Sequence, residues 1–121
     1  MSDNITNSLD YIGKKVMVKM DRQLGTKHPK FDWEYKLNYG FIPDTMSPDG
    51  EELDAYVIGV DEPVETFDGV CVAVIRREDD NDDKLIVVPE DHPEISDQDI
   101  LDATHFQEQF FKPQVLRGSE S

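Results

Sequence analysis

Residues 49–60 read DGEELDAYVIGV, a tight turn packed with carboxylates that runs straight into an apolar strand. Asp49, Glu51 and Asp54 stand at i, i+2 and i+5, and Gly50 permits the sharp turn that aims them at one point. Residues 55–60 read as a strand, because the apolar run is short and bounded by turn residues. Ahead of the turn, residues 44–53 (DTMSPDGEEL) form a long acidic loop with a Pro-Asp-Gly turn signal.

Working outward, the same grammar repeats. Val16, Val18 and Met20 alternate with Met17 and Lys19, which predicts a half-buried strand. A loop with Gly and Pro follows over residues 21–30, then the aromatic stretch FDWEYKLNYGFIP, read as mostly extended over 35–42. Beyond the opening stretch, 70–76 and 85–88 are further apolar runs, joined by the charged segment RREDDNDDK. Ser96 and Asp99 make an S-x-x-D capping pattern, and Ile100, Ala103, Phe106 and Phe110 recur at helical spacing up to Pro113. Five short strands followed by one helix, with no βαβ alternation, predict a mainly β domain: a small barrel carrying a packed C-terminal α-helix. The chain is one domain over 1–121, with a polar, frayed start over 1–10.

Charge narrows the function classes. Asp and Glu number 27 against 12 Lys and Arg, a net charge of −15. Such a field repels nucleic acid and anionic membrane, so neither is an expected partner. It repels bare phosphate too, so a phosphate-handling chain of this charge needs metal ions or a local basic patch. The single cysteine, Cys71, lies inside an apolar run and reads as a small buried hydrophobe. No disulfide framework exists, which fits a reducing cytoplasm, and no apolar run is long enough for a signal peptide or membrane span.

The carboxylates carry the chemistry. Oxygen-only ligands such as Asp49, Glu51 and Asp54 suit Mg²⁺ or Mn²⁺ rather than Zn²⁺. A second cluster, Glu78, Asp79, Asp80, Asp82 and Asp83, crowds one inter-strand loop. Like charges so close repel unless a cation neutralises them. Two acidic loops meeting at one barrel mouth would hold two metals, orient a phosphate and lower the pKa of a bridging water. Lys84 lies beside the second cluster as a point charge for phosphate. Tyr35 and Tyr39 share one face of an extended segment, where their hydroxyls can donate to phosphate oxygens. Arg22 is the preferred basic ligand, since its fork matches phosphate geometry. A solvated acidic surface and packed tyrosines remain the plainer reading of each element taken alone.

Taken in order, the elements resemble the family I, magnesium-dependent inorganic pyrophosphatases, from about residue 16 to 112. Tyr35-x-x-Asn38-Tyr39-Gly40-Phe41-Ile42 resembles the family's YPxNYGYI segment, and DGEELDAYV resembles its DGDPxDxLV metal motif. DDNDDKLIVVP, from Asp79, resembles the family's acidic loop, Lys and LxAVP strand. His105-Phe106-x-Glu108 resembles the start of its C-terminal helix. The resemblance implies a five-stranded OB-like barrel that hydrolyses pyrophosphate to two phosphates through a metal-activated water. It implies metal ligation by Asp49, Glu51, Asp54 and the group Asp79, Asp80, Asp82 and Asp83, with one of the last two a ligand. It implies catalytic roles for Asp54, Tyr39 and Lys84, and substrate contacts from Arg22, Tyr35, Tyr39, Lys84 and Lys112.

Several positions depart from the family pattern. Glu51 is a methylene longer than the family's aspartate, Glu52 replaces its Pro, and Lys36 replaces another Pro. Lys19 stands near a family acidic residue, and Phe110 and Phe111 fall where a tyrosine is expected. Three readings follow: a Mg²⁺-dependent hydrolase of pyrophosphate or another phosphoanhydride; a non-catalytic module binding a phosphorylated ligand or divalent ion; and an acidic interaction protein. Homo-oligomerisation is left open, because the family is often oligomeric and this chain is short.

Overall fold

The computed structural model describes residues 8–27, 30, 34–43, 45, 52–77, 83–91, 93–109 and 112–117. The alternating run becomes β1 (Lys15–Arg22), with Val16 and Val18 buried and their neighbours exposed. β2 (Asn38–Ile42), β3 (Leu53–Val57), β4 (Thr66–Arg77) and β5 (Asp83–Val88) follow, then α1 (Asp97–Glu108) and a short β6 (Pro113–Leu116). The strands pair in the order β1-β2-β3-β5-β4, and a β1–β4 pairing closes the ring. β3 and β5 run parallel, and the other described pairs are antiparallel. This is the expected five-stranded OB-like barrel with one helix near the C-terminus.

Strand alternation splits the core in two. Val16, Val18, Leu53, Val57, Leu85 and Val87 pack inside the barrel. Leu37, Tyr56, Ile75, Ile86 and Val88 pack on the outer wall against Ile100 of α1. β5 is covered on both sides, so all six of its residues are buried, which explains why it reads as an unbroken apolar run. β4 is long enough to serve β1 at one end and β6 at the other, and a bulge between Cys71 and Ala73 shifts its alternation. Cys71 is buried as expected, and burial pushes its thiol up to about 11.

Gly40 is required by β1. A Cβ there would overlap the Lys19 carbonyl oxygen and lie 2.7 Å from Met20 Cα. The close crossing sits beside the β1 bulge between Met20 and Arg22, which brings Arg22 opposite Tyr39.

The helix starts as read: the Ser96 hydroxyl accepts from the Asp99 N–H at 3.1 Å. Its buried stripe differs in part, being Ile100, Thr104 and Glu108, with Ala103 and Phe106 packed beside it. Phe110 lies outside the described residues. Pro113 does not itself end the helix, which stops at Glu108; it opens β6, where a missing N–H is tolerated at a strand's first residue. Of the start read as frayed, Ser8–Tyr11 form a 3-10 turn with Ser8 buried, and residues 1–7 lie outside the described residues.

Candidate active site

The outer wall, not the barrel interior, carries Asp54, Tyr39 and Lys84. Asp54 and Tyr56 alternate outward on β3, Tyr39 on β2, and Lys84 and Ile86 on β5. Register then brings them together. Asp54 faces Lys84 across the parallel β3–β5 pair, and Tyr39 faces Tyr56, one step diagonal to Asp54.

The side chains close on one oxygen. Asp54 Oδ2 accepts the Tyr39 hydroxyl at 2.9 Å and the Lys84 ammonium at 2.7 Å. The Lys84 side chain is 3% exposed and that of Asp54 29%, so the cation is buried and the carboxylate faces solvent. The Lys84 ammonium also sits 5.6 Å from the Tyr39 ring centroid, within cation–π range. Tyr35 stacks on Tyr39 at 5.7 Å. Burial raises the pKa of the Tyr35 hydroxyl, and the charge and hydrogen bond of Arg22 only partly offset that. Arg22 is half-buried, reaches Tyr35, and donates weakly to the Asp21 carbonyl at 3.4 Å.

Asn38 anchors the loops around this cluster. Its Oδ1 accepts from the Leu24 and Val64 N–H groups at 3.0 and 3.2 Å, and its amide donates to the Glu62 carbonyl at 2.9 Å. Three of its bonding positions are thereby committed to backbone, which ties the chain on both sides of β2 to the strand carrying Tyr39.

The remaining expected site residues distribute unevenly. Asp83 points to the opposite face from Lys84, where Arg76 donates two hydrogen bonds at 3.0 and 2.9 Å and the Ser8 hydroxyl a third. Burial opposes its ionisation, but those bonds and the Arg76 and Lys84 charges outweigh it, and its pKa is lowered. Lys112 is exposed in the connection between α1 and β6. Asp49, Glu51, Asp79, Asp80 and Asp82 lie outside the described residues. Among the described residues no three carboxylate, histidine or cysteine side chains gather as a metal-binding group.

A buried ion pair backs the site, and the sequence reading missed it. Glu108 accepts from Arg77 Nε and Nη2 at 3.0 and 2.8 Å and from the Tyr56 hydroxyl at 2.7 Å. Gln107 donates to the same Tyr56 hydroxyl at 2.7 Å. Burial opposes the Arg77 charge, but Glu108 more than compensates and its pKa rises. Burial and the Glu108 charge raise that of Tyr56. The available signal was Glu108 itself, which falls one and two helical repeats beyond Thr104 and Ile100. A charge on a buried stripe demands a partner.

Fold and site together define an OB-like barrel protein with a carboxylate–lysine–tyrosine site on its outer wall. The chain belongs to the inorganic pyrophosphatase family, whose model matches residues 6–115. It is 37% identical over 94 residues to the inorganic pyrophosphatase of Methanosarcina acetivorans, covering 72% of this chain and 51% of the relative. Over 105 residues it is 34% identical to that of Streptomyces coelicolor, covering 74% and 60%. The chain thus spans about half to three-fifths of the length of these curated relatives. Its fold is similar to the inorganic pyrophosphatases of Ehrlichia chaffeensis and Helicobacter pylori, each with a TM-score of 0.65 at 19% identity. Those superpositions cover 93% and 97% of this chain and 88% and 91% of the solved ones.

Proposed function

We propose that this chain hydrolyses inorganic pyrophosphate to two phosphates with Mg²⁺, or Mn²⁺ in its place, in a cytoplasmic setting. One observation carries the reading: a solvent-facing carboxylate, Asp54, held by Tyr39 and a buried Lys84, on a barrel of this family. The donor chemistry fits a hard cation. Asp54 Oδ2 takes both hydrogen bonds, which leaves Oδ1 for a ligand, and the other candidates in the sequence are carboxylates too. Asp49, Glu51, Asp54, Asp79, Asp80 and Asp82 would hold the cation. Asp83 is committed to Arg76 and Ser8, so of the last two aspartates Asp82 is the better ligand. Bound Mg²⁺ would neutralise phosphate charge and make a bound water more acidic.

The chain's own groups do the positioning. Lys84 and Arg22 place fixed positive charge beside the phosphates, and Tyr39 and Tyr35 offer hydroxyl donors. Lys112 would join them from the connection after α1. Water forms one new P–O bond, the bridging P–O bond breaks, and the departing phosphate carries the electron pair and takes up the proton that water gives up. Catalysis of this kind is mostly alignment and charge neutralisation. A phosphate-release assay against pyrophosphate, polyphosphate and nucleotides tests it. Release from none of them with either metal overturns the proposal, and release only from another phosphoanhydride overturns the choice of substrate.

A second reading, a module that binds phosphorylated ligand or divalent ion without turnover, is favoured by Lys84 already neutralising Asp54. Calorimetric binding of pyrophosphate with Mg²⁺, without phosphate release, would establish it instead.

A further inference from the structure

We propose that Glu108 is a positioning residue, which fixes the Tyr39–Asp54 pair from the C-terminal helix through the ring of Tyr56. The proposal deepens the hydrolytic reading above and rests on it for its activity arm.

The chain of contacts is continuous. Glu108 is 2% exposed and receives three hydrogen bonds, two from Arg77 and one from Tyr56. Tyr56 is fully buried, and its hydroxyl is held on the other side by Gln107. Its ring lies 5.0 Å from that of Tyr39, and Phe106 of the same helix meets both Tyr56 and Tyr35 edge-on at 6.1 and 5.8 Å. Tyr39 in turn donates to Asp54. Tyr56 therefore has neither a free hydroxyl nor room to turn, and Tyr39 is wedged between Tyr35 and Tyr56.

Energetics argue that this network is more than packing. Burying two charges costs several kcal/mol each before pairing, and a pair of well-packed apolar residues is often as stable or better. A buried pair linked to Asp54 through the rings of Tyr56 and Tyr39 is explained by orientation. Arg77 adds a second reason, since it is the last residue of β4 before the acidic segment 78–82. Glu108 thus holds the strand end that leads into the acidic segment as well as the ring behind Tyr39.

The test is a double-mutant cycle on the full chain with two readouts: kcat for pyrophosphate, and Mg²⁺ affinity by calorimetry without substrate. Glu108→Gln and Tyr56→Phe should each lower kcat, Mg²⁺ affinity or both by roughly tenfold, the usual cost of losing a group that orients a metal ligand. In a Tyr39→Phe background both effects should shrink to within about twofold, because residues acting through one another are not additive. Single variants indistinguishable from the wild type on both readouts overturn the proposal. So does a loss of full size in the Tyr39→Phe background, which would place the action of Glu108 elsewhere. If Glu108→Gln no longer melts cooperatively, Tyr56→Phe decides, since it keeps the ion pair with Arg77. Mg²⁺ binding without phosphate release defeats the proposed function alone, and calorimetry then decides this inference. Absence of Mg²⁺ binding defeats both.

Discussion

Replacing Lys84 with Met should separate stability from activity. The Lys84 ammonium lies 2.7 Å from Asp54 Oδ2, in a side chain that is 3% exposed. At an effective dielectric of about 20, that distance corresponds to about 6 kcal/mol of gross attraction. Asp54 is 29% exposed, so solvent screening makes this an upper bound. Against it stands the cost of burying the ammonium, itself several kcal/mol. The two largely offset each other, and Asp54, being partly exposed, is rehydrated rather than left as a buried unpaired charge when Met replaces Lys84. Lys84→Met should therefore melt within about 1 kcal/mol of the wild type, or slightly above it. Activity should behave differently, because in the proposed mechanism the Lys84 cation meets developing phosphate charge without reorganisation. Its removal should lower kcat by roughly a hundredfold or more. The assays are thermal melting by circular dichroism and steady-state phosphate release. A variant destabilised by more than about 3 kcal/mol with near-normal kcat would refute the reasoning, since breaking a structurally essential buried pair costs that much.

Other outcomes follow from the same geometry. Asn38→Ala strands the Leu24 and Val64 N–H groups and should cost about 2–4 kcal/mol by urea unfolding, with a barely changed value showing that water replaces the amide. Asp83 titrates at a lower pH in the folded chain than its unfolded value near 4, so the unfolded state binds more protons as pH falls. Its stabilisation is present above that unfolded value and is lost as pH drops through the folded one. Asp83→Asn should then flatten the acid limb of a plot of melting temperature against pH below about 4, and an unchanged limb would sink the assignment. Mg²⁺ at a hundredfold over its dissociation constant should stabilise the fold by about 2.7 kcal/mol, read as a rise in melting temperature, whereas a merely acidic surface shows no saturable shift.

Much of the fold was legible because the barrel strands obey local rules. Alternation at Val16 and Val18 marked β1, and the doubly covered β5 appeared as an unbroken apolar run. β6 was not legible, because four residues opening on Pro113 carry too little pattern to distinguish a strand from a tail. Nor was the parallel β3–β5 neighbourhood, which is a non-local pairing that no local period encodes. That pairing sets Lys84 beside Asp54.

The candidate site was legible in its residue types and less so in its placement. Asp54, Tyr39 and Lys84 converge, yet on the outer wall next to Tyr56, because alternation inside each strand decides the face. The same alternation separates Asp83 from Lys84, although they adjoin in sequence. The pairing of Glu108 with Arg77 escaped notice for the opposite reason. Each looks like an ordinary surface charge until the fold buries both against Tyr56.

The most direct test of the central claim is phosphate release from pyrophosphate in millimolar Mg²⁺, measured for the wild-type chain and Asp54→Asn side by side. Turnover by the wild type, reduced at least about a hundredfold in Asp54→Asn with the circular dichroism spectrum unchanged, is the predicted result. A wild-type chain that binds Mg²⁺ yet releases no phosphate, or an Asp54→Asn variant as active as its parent, would contradict it.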